Sequence, residues 1–472
     1  MDKPDSAAGK TTALAITAMS AFLTPLSLAT VNVALPSIGK EFSMNAISLS
    51  WVAMAYIVAA AIFLVPFGRL ADIYGMKKVF LIGTCVFTLS SFSMGITNTA
   101  LMLIVFRVIQ GIGAAMLFGT GVAILSHVFP VEERGKVLGI NVAAVYLGLS
   151  FGPFIGGVLT QHLGWRSIFF LNVPLGIIIV VSTLWKLKGE WADSRGEKFD
   201  IVGSLIYAFM LFAVMYGFSH LASIAGIVII IAGFAGAAYF VYREDKTTMP
   251  VLNIALFKSN RAFALSNIAA LINYSATFAV GFLLSLYLQY IKGLSPQAAG
   301  FVLVSQPIVM AVFSPLAGRV SDKVEPRIVA SVGMALSALG LFLFIFVTNA
   351  TPLWFIIMSL AILGFGFAFF SSPNVNAIMS SVESRFYGIA SSVLSTMRLL
   401  GQTFSMSIVM LIFLVYIGKV EILPVHYPCF LKSVRAAFIF FGMLCIAGVF
   451  ASLSRGKVHR DPEIEKQEGN LH

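Results

Sequence analysis

The chain has 472 residues, of which 59% are hydrophobic and 11% are charged, and its formal net charge at pH 7 is +11. Together with a mean hydropathy of +0.94, this composition excludes a soluble globular protein. The basic residues form no dense run, which argues against a nucleic-acid partner. Three scattered cysteines (Cys85, Cys429 and Cys445) are too few for a disulfide framework or a metal site.

Apolar stretches of about 20 residues, long enough to cross a bilayer as helices, recur along the whole chain. Fourteen such spans are predicted, at residues 13–35, 49–70, 79–97, 101–125, 137–161, 167–186, 201–219, 222–242, 263–290, 297–318, 328–347, 353–379, 387–417 and 433–454. The least certain division is 201–242, where only Ser219 to Ala222 can turn the chain. Without that turn, twelve or thirteen spans would remain.

The distribution of lysine and arginine predicts the orientation in the membrane, because cytoplasmic loops collect these residues. With both ends inside, the inner segments hold 23 of them and the outer segments hold six, while Arg107 and Arg398 lie within spans. We therefore expect a multi-pass protein of the cell membrane with both termini in the cytoplasm.

An internal repeat divides the chain. Gly68-Arg-Leu-Ala-Asp72 closes the second span and Gly318-Arg-Val-Ser-Asp322 closes the tenth, and such repeats are common in secondary transporters. The predicted domains are a six-helix half at 1–186, an inserted helix pair with flanking loops at 187–262, a second six-helix half at 263–454 and a tail at 455–472.

The loop from Gly68 to Lys78 combines a small residue, a carboxylate at a helix end, a turn glycine and two cations. A charged cytoplasmic turn would explain the cations alone, but it does not explain the whole spacing. The loop resembles the signature Gly-x-Leu-x-Asp-x-x-Gly-(Arg/Lys)-(Arg/Lys) of the major facilitator superfamily, with Met76 at the first basic position.

This resemblance implies an all-helical fold of two six-helix halves, each containing inverted repeats. It also implies that Asp72 closes an inner gate of the outward-open state by lying against a helix N-terminus of the other half, where a carboxylate is stabilised. The predicted gating residues are Gly68, Asp72, Gly75, Lys77 and Lys78, with Gly318 and Asp322 in the weaker copy.

Arg107, Gln110 and Gly111 lie near the start of the fourth span. A charge inside a span costs roughly 2.5–3.5 kcal/mol and usually faces a partner or a cavity, although Arg107 can also extend to the interface. The string resembles the family's Arg-x-x-Gln-Gly motif, whose arginine is linked to proton movement. Asp72, Arg107 and Gln110 are therefore the proton-relay candidates.

The fifth span carries a Gly-x-x-x-Gly-Pro-x-x-Gly-Gly motif, formed by Gly148, Gly152, Pro153, Gly156 and Gly157. Gly and Pro are frequent in membrane helices, but this spacing is much rarer and resembles the antiporter motif of the superfamily. Two further strings, Asn32–Pro36 and Trp165–Arg166 with the residues after it, resemble the branch of fourteen-span drug:proton antiporters.

One residue departs from that branch, which usually carries an Asp nine residues before the proline of the first helix. That position is Ser27 here, and no Asp or Glu lies well inside any span. Two explanations follow. Either the proton uses Asp72 with Arg107 at the inner gate and the cavity accepts neutral or weakly charged compounds, or the substrate is an anion that pairs with Arg107 or Arg398.

Polar residues within the spans are candidates for lining the substrate cavity. They are Asn32, Tyr56, Tyr146, Asn273, Gln289, Gln306, Asn374, Arg398 and Gln402. Each can equally form a bond between helices, worth about 0.6 kcal/mol on average.

The sequence thus predicts proton-coupled efflux of hydrophobic small molecules by alternating access. We expect a monomer in the lipid bilayer without a cofactor, driven by the proton gradient because no phosphate-binding loop is present. The alternative is an exporter or importer of a specific anionic metabolite. A membrane enzyme or sensor is least favoured, because the histidines and acidic residues do not cluster.

Overall fold

The computed structural model describes residues 7–219, 223–247, 260–382 and 387–455. The first six helices are α1 (Ala7–Glu41), α2 (Ala46–Tyr74), α3 (Met76–Gly95), α4 (Ala100–Val128), α5 (Val131–Leu163) and α6 (Ser167–Lys186). Two further helices follow a long connection, α7 (Ile201–Ser219) and α8 (Ile224–Glu244).

Six more spans follow. They are α9 (Arg261–Ile291), α10 (296–323), α11 (Pro326–Leu343), α12 (Leu353–Ser380), α13 (Tyr387–Tyr416) and α14 (Tyr427–Leu453). α9 is built from helices Arg261–Thr277 and Val280–Leu286 and a π-turn, Tyr287–Ile291. α10 is built from Pro296–Leu303 and Ser305–Lys323.

The prediction of fourteen spans is confirmed, since fourteen helices are long and apolar enough to cross a membrane. Throughout the described residues the regular structure is helical. The least certain division is resolved as α7 and α8, and Ser223 caps α8 by accepting a hydrogen bond from the Gly226 N–H at 3.1 Å. The other residues of that predicted turn, 220–222, lie outside the described part.

Helix ends are set by local chemistry. The side chains of Asn45, Thr99, Asn260 and Ser295 cap α2, α4, α9 and α10, satisfying amides that a helix leaves unpaired. Gly75 separates α2 from α3 at φ +116°, a conformation that residues with a Cβ rarely adopt.

The two six-helix groups pack in the same way. In the first, α1 packs against α5 and α6, α2 against α4, and α3 against α4 and α6. The second group repeats these five pairs: α9 packs against α13 and α14, α10 against α12, and α11 against α12 and α14. The groups meet mainly where α5 contacts α10 and where α2 contacts α13.

Helices α7 and α8 pack against each other, and α7 also contacts both α2 and α13. The Tyr207 hydroxyl on α7 donates to the Ala61 carbonyl of α2 at 3.2 Å, and Phe218 meets Phe404 of α13 edge to face at 6.1 Å. The pair therefore lies beside one seam between the two groups.

Because the number of crossings is even, α1 begins and α14 ends on one face. That face also carries Gly75, and we call it the Gly75 face. The opposite face carries the turn at Gly164 between α5 and α6, and we call it the Gly164 face.

Candidate functional site

A cavity of about 780 Å³ lies between the two groups of helices. Its walls come from α1, α4 and α5 of the first group and from α10, α12 and α13 of the second. On each helix the lining residues belong to the half nearer the Gly75 face, for example Thr17–Thr24 on α1 and Ser391–Arg398 on α13. The cavity is therefore open toward the Gly75 face.

The charged side chains that line this cavity are all positive among the described residues. Among the described residues, its lining includes Arg134 and Arg398 but no carboxylate. The Arg398 guanidinium lies over the Tyr274 ring at 5.3 Å, and its Nε has no hydrogen-bond partner in the described structure. A guanidinium with an unpartnered N–H in an interior wall favours a ligand with negative charge or exposed acceptor oxygens.

A smaller chamber of about 150 Å³ continues the cavity toward the Gly164 face. The residues that line the chamber lie about one helical turn beyond those of the large cavity. On α1, Leu28 follows Thr24, and on α13, Gln402 follows Arg398. Of the predicted cavity residues, Tyr146 and Arg398 line the large cavity, and Asn32, Gln306 and Gln402 line the chamber.

The other four predicted cavity residues line neither space. The centre of the Tyr56 ring lies 4.6 Å from the guanidinium carbon of Arg107. Gln289 donates to the Val33 carbonyl at 2.9 Å. Asn273 is fully buried within α9. Asn374 accepts a 2.6 Å bond from Arg455, an arginine whose pKa burial lowers to about 10.

Arg107 is fully buried in a network of neutral groups. Its Nε donates to the Val52 carbonyl at 3.0 Å and its Nη1 donates to Gln110 Oε1 at 2.6 Å. The Gln110 amide donates to Ser91 and Ser27, and the Asn172 amide donates to the same Ser27 hydroxyl. Ser27, the position at which the resemblance predicts an acid, thus accepts bonds from two amides.

The structure places Asp72 and Arg107 far apart. Arg107 bonds to Val52, and Asp72 lies twenty residues further along α2, a distance of about 30 Å along a helix. Arg107 belongs to the half of α4 near the Gly164 face, because α4 begins there. The expected joint action of Asp72 and Arg107 at one inner gate is therefore not possible in this structure.

The gating loop is held by the segment 187–200 between α6 and α7, which we call the strap. The Ser194 N–H donates to the Asp72 carbonyl at 2.9 Å, and the Met76 N–H donates to the Trp191 carbonyl at 2.8 Å. Glu190 accepts bonds from the backbone of Lys77 and Lys78. Gly75 allows this approach, because a Cβ there would overlap the Glu190 side chain.

Charged side chains also join the strap to α2 and α4. Arg69 pairs with Glu197, and the His127 Nε2 lies 2.8 Å from Asp193 Oδ1. The other ring nitrogen of His127 lies 2.9 Å from the Ala123 carbonyl. Asp72 lies within the field of these charges.

The second copy of the loop is arranged differently. Gly318 lines the large cavity, and a Cβ there would lie 3.1 Å from the Ser372 hydroxyl. The side chain of Asp322 lies outside the described part of the structure.

The glycine motif of α5 brings three helices together. Cβ atoms at Gly148, Gly152 and Gly156 would collide with α1, at Gly156 2.8 Å from the Thr30 backbone. Gly157 faces α10 instead, where a Cβ would lie 2.6 Å from the Pro296 carbonyl. Gly300 of α10 packs in turn on the Pro153 carbonyl. The motif thus places α5 against its own half and the other half at once.

Contacts between the two groups close the Gly164 face. Ser285 donates to the Asn32 carbonyl at 2.6 Å, His162 lies 3.0 Å from Gln297, and Phe154 packs on Phe301 at 5.2 Å. With one face sealed and the other open, the cavity is accessible from one side only.

Sequence reasoning missed the strap, because a polar connection between spans shows no sign of what it contacts. It also missed Glu41, which binds Arg166 through two bonds of 2.9 and 2.7 Å and accepts from Trp165 at 2.6 Å. The Trp165–Arg166 motif could have indicated an acidic partner on the same face, since Glu41 follows the first span.

Comparisons with known proteins agree with this architecture. The chain is 33% identical over 388 residues to the riboflavin transporter RibZ of Clostridioides difficile (strain 630), covering 82% of this chain and 84% of that one. It is 30% identical over 402 residues to the multidrug resistance protein Stp of Mycobacterium tuberculosis (strain CDC 1551 / Oshkosh), covering 84% and 74%.

The fold is similar to a solved bacterial homologue of the human lysosomal transporter Spinster, in an inward-facing and unoccupied conformation. The TM-score is 0.66 at 15% identity, covering 95% of this chain and 97% of that one. The model of the Major Facilitator Superfamily matches residues 17–199 and 267–471, and the stretch between them contains α7 and α8. The chain is therefore a multi-pass membrane transporter, not an enzyme, and it belongs to the major facilitator superfamily.

Proposed function

We propose that this transporter exports hydrophobic small molecules that are uncharged or weakly acidic, in exchange for protons. The observation that carries the proposal is the cavity lining, which among the described residues contains Arg398 and Arg134 but no carboxylate. A cationic compound would find no counter-charge there, whereas a neutral or acidic aromatic compound would contact Tyr146, Arg398 and apolar walls.

The proposed direction of transport and the proposed coupling to protons rest on sequence resemblance and on the position of the α5 glycines. The α5 glycines at the seam between the halves match the antiporter motif, and relatives include a multidrug resistance protein. We propose cytoplasmic termini, so that the Gly75 face takes compounds from the cytoplasm, and a monomer as the transporting unit. Asp72, Arg107 and Gln110 remain the coupling candidates, and Asp72 alone among them carries a carboxylate.

A three-probe efflux assay tests the proposal. Vesicles containing the full chain and carrying a proton gradient are loaded with uncharged N-phenylnaphthylamine, anionic fluorescein or cationic ethidium, and dye movement is followed by fluorescence. We expect transport of the first two but not of ethidium, and a protonophore should stop it. Transport of ethidium alone, or transport indifferent to the protonophore, contradicts the proposal.

Arg398 also favours a second candidate, an exporter or importer of one specific anionic metabolite. A half-buried cation that pairs with no carboxylate among the described residues suits a bound anion. The variant Arg398→Leu separates the two. Loss of fluorescein transport with N-phenylnaphthylamine transport retained fits a broad exporter with an acid-binding residue. If wild type moves anions alone, the second candidate replaces the first.

A further inference from the structure

The chamber beyond Arg398 contains three primary amides that come from both halves of the protein. Asn32 lies on α1, Gln306 on α10 and Gln402 on α13. None of these side chains has a hydrogen-bond partner within the described part of the chain. In contrast, Gln110, Gln289 and Asn374 are all bonded to neighbouring groups.

These three residues are half-buried and line the chamber, so their amide groups can bind a ligand there, and a bound ligand that left such a group unpaired would lose about 1–3 kcal/mol. Each amide offers both a carbonyl acceptor and an N–H donor. Three of them around one small space match a ligand whose edge alternates acceptors and donors. A cyclic imide, with a carbonyl on either side of an N–H, has such an edge.

The other walls of the chamber are flat and apolar. Tyr274, Phe278 and Phe367 line it, and Tyr274 meets Phe367 edge to face at 5.5 Å. Arg398 lies over the Tyr274 ring, which adds positive potential beside the chamber. A ring with electron-rich carbonyl oxygens fits this surrounding better than a cation does.

The volume limits how much of a ligand enters. A dry cavity of about 150 Å³ is known to hold a benzene molecule, so the chamber takes about one ring of a larger compound. The rest of the molecule then extends past Tyr274 into the large cavity, which continues from the chamber toward the Gly75 face.

We propose that the chamber binds the cyclic-imide edge of a flat heteroaromatic substrate, such as the pyrimidinedione ring of a flavin. This inference rests on the proposed export function and narrows its substrate class. The relative named as a riboflavin transporter makes riboflavin the natural probe, because its ring system is flat, uncharged near pH 7 and carries one imide.

Titration of the purified full chain with riboflavin, followed by quenching of flavin fluorescence, tests the inference. The matched probe is 3-methylriboflavin, whose imide hydrogen is replaced by methyl. We expect riboflavin to bind and 3-methylriboflavin to bind at least about tenfold more weakly, since one lost bond and a misplaced methyl exceed about 1.4 kcal/mol. Equal binding of the two, or no riboflavin binding, overturns the inference.

Variants locate the binding to the chamber. Gln306→Leu and Gln402→Leu should each weaken riboflavin binding about 5- to 30-fold. Gly281→Ala is a second, milder test, because its new Cβ lines the chamber with its nearest neighbour, Asn32 Nδ2, at 3.8 Å. The control is Gly121→Ala in the large cavity, where a Cβ meets nothing within 4 Å.

The two proposals fail separately. If the glutamine variants and Gly281→Ala bind riboflavin as wild type does, the chamber assignment is wrong, and continued N-phenylnaphthylamine export leaves the proposed function standing. If wild type exports none of the dyes, the proposed function fails, whatever the flavin titration shows.

Discussion

In the first six-helix group, the hydroxyl of Ser27 accepts two hydrogen bonds at a position where the resemblance predicts a charged carboxylate. Ser27 accepts bonds from Gln110 at 3.1 Å and Asn172 at 3.2 Å, and Gln110 in turn accepts a bond from the buried Arg107. The arginine therefore keeps its orientation without a carboxylate among the described residues. This network of neutral groups around one arginine joins five helices, α1, α2, α3, α4 and α6.

The variant Ser27→Ala should lower the free energy of unfolding by about 1 kcal/mol, because two interhelical bonds at about 0.6 kcal/mol each are lost. Equilibrium unfolding in detergent measures this change. Ser20→Ala is the control, since Ser20 donates only to the Thr17 carbonyl of its own helix. Equal effects of the two substitutions would show that the Ser27 network adds nothing.

At this scale the sequence was only partly informative. It singled out Arg107 and Gln110 by their motif, and it identified Ser27 as the site of a missing acid. It did not indicate that Ser27 joins Gln110 and Asn172, because these residues lie 83 and 145 positions away along the chain. Long-range pairing depends on helix packing, which no local pattern encodes.

Helices are held at close range by their glycines. Gly156→Ala would place a Cβ 2.8 Å from the Thr30 backbone, so α5 or α1 must shift, at a cost of about 1–3 kcal/mol. We expect lower thermal stability and slower transport. Gly139→Ala in the same helix is the control, because a Cβ there has no neighbour within 4 Å. Identical melting curves for the two variants would contradict this packing.

The start of α7 is fixed by one carboxylate. Asp200 caps the helix by accepting from the Gly203 N–H at 2.9 Å, and the Arg243 guanidinium beside it holds the pKa of that carboxyl below its usual value. Since the pKa rises on unfolding, the ion pair stabilises the fold fully above the unfolded value of about 3.9 and loses this effect as the pH falls.

Asp200→Asn should keep the cap but remove the pH-dependent part, whereas Asp200→Ala should cost about 1 kcal/mol more through the lost cap. Thermal unfolding between pH 3 and pH 7 measures both changes. If the stability of Asp200→Asn falls with acid as steeply as that of wild type, the ion pair is not responsible.

Fourteen spans were predictable because the bilayer requires long apolar helices, and the composition of each span carries that requirement. Finer features were not. The π-turn at Tyr287–Ile291 and the break of α10 between Leu303 and Ser305 leave the apolar pattern unchanged. Both lie where the second group contacts α1 and α5 across the seam.

At the scale of the whole molecule, the Gly164 face is closed and the cavity opens toward the Gly75 face. A cysteine pair, His162→Cys with Gln297→Cys, should lock this state when a short cross-linker joins it, because the tips of the replaced side chains lie 3.0 Å apart. In a background without Cys85, Cys429 and Cys445, a short bis-methanethiosulfonate should cross-link the pair and stop transport, and a reductant should restore it. His162→Cys alone is the control. Undiminished transport by the cross-linked protein would rule out rocking about this seam.

The helix pair α7–α8 has a consequence for lipid. α2 and α13 contact each other between the two groups. Because α7 contacts both helices, through Tyr207 and Phe218, it covers that seam where a lipid chain would otherwise pack. The seam between α2 and α13 therefore meets protein, and not lipid, along the part that α7 contacts.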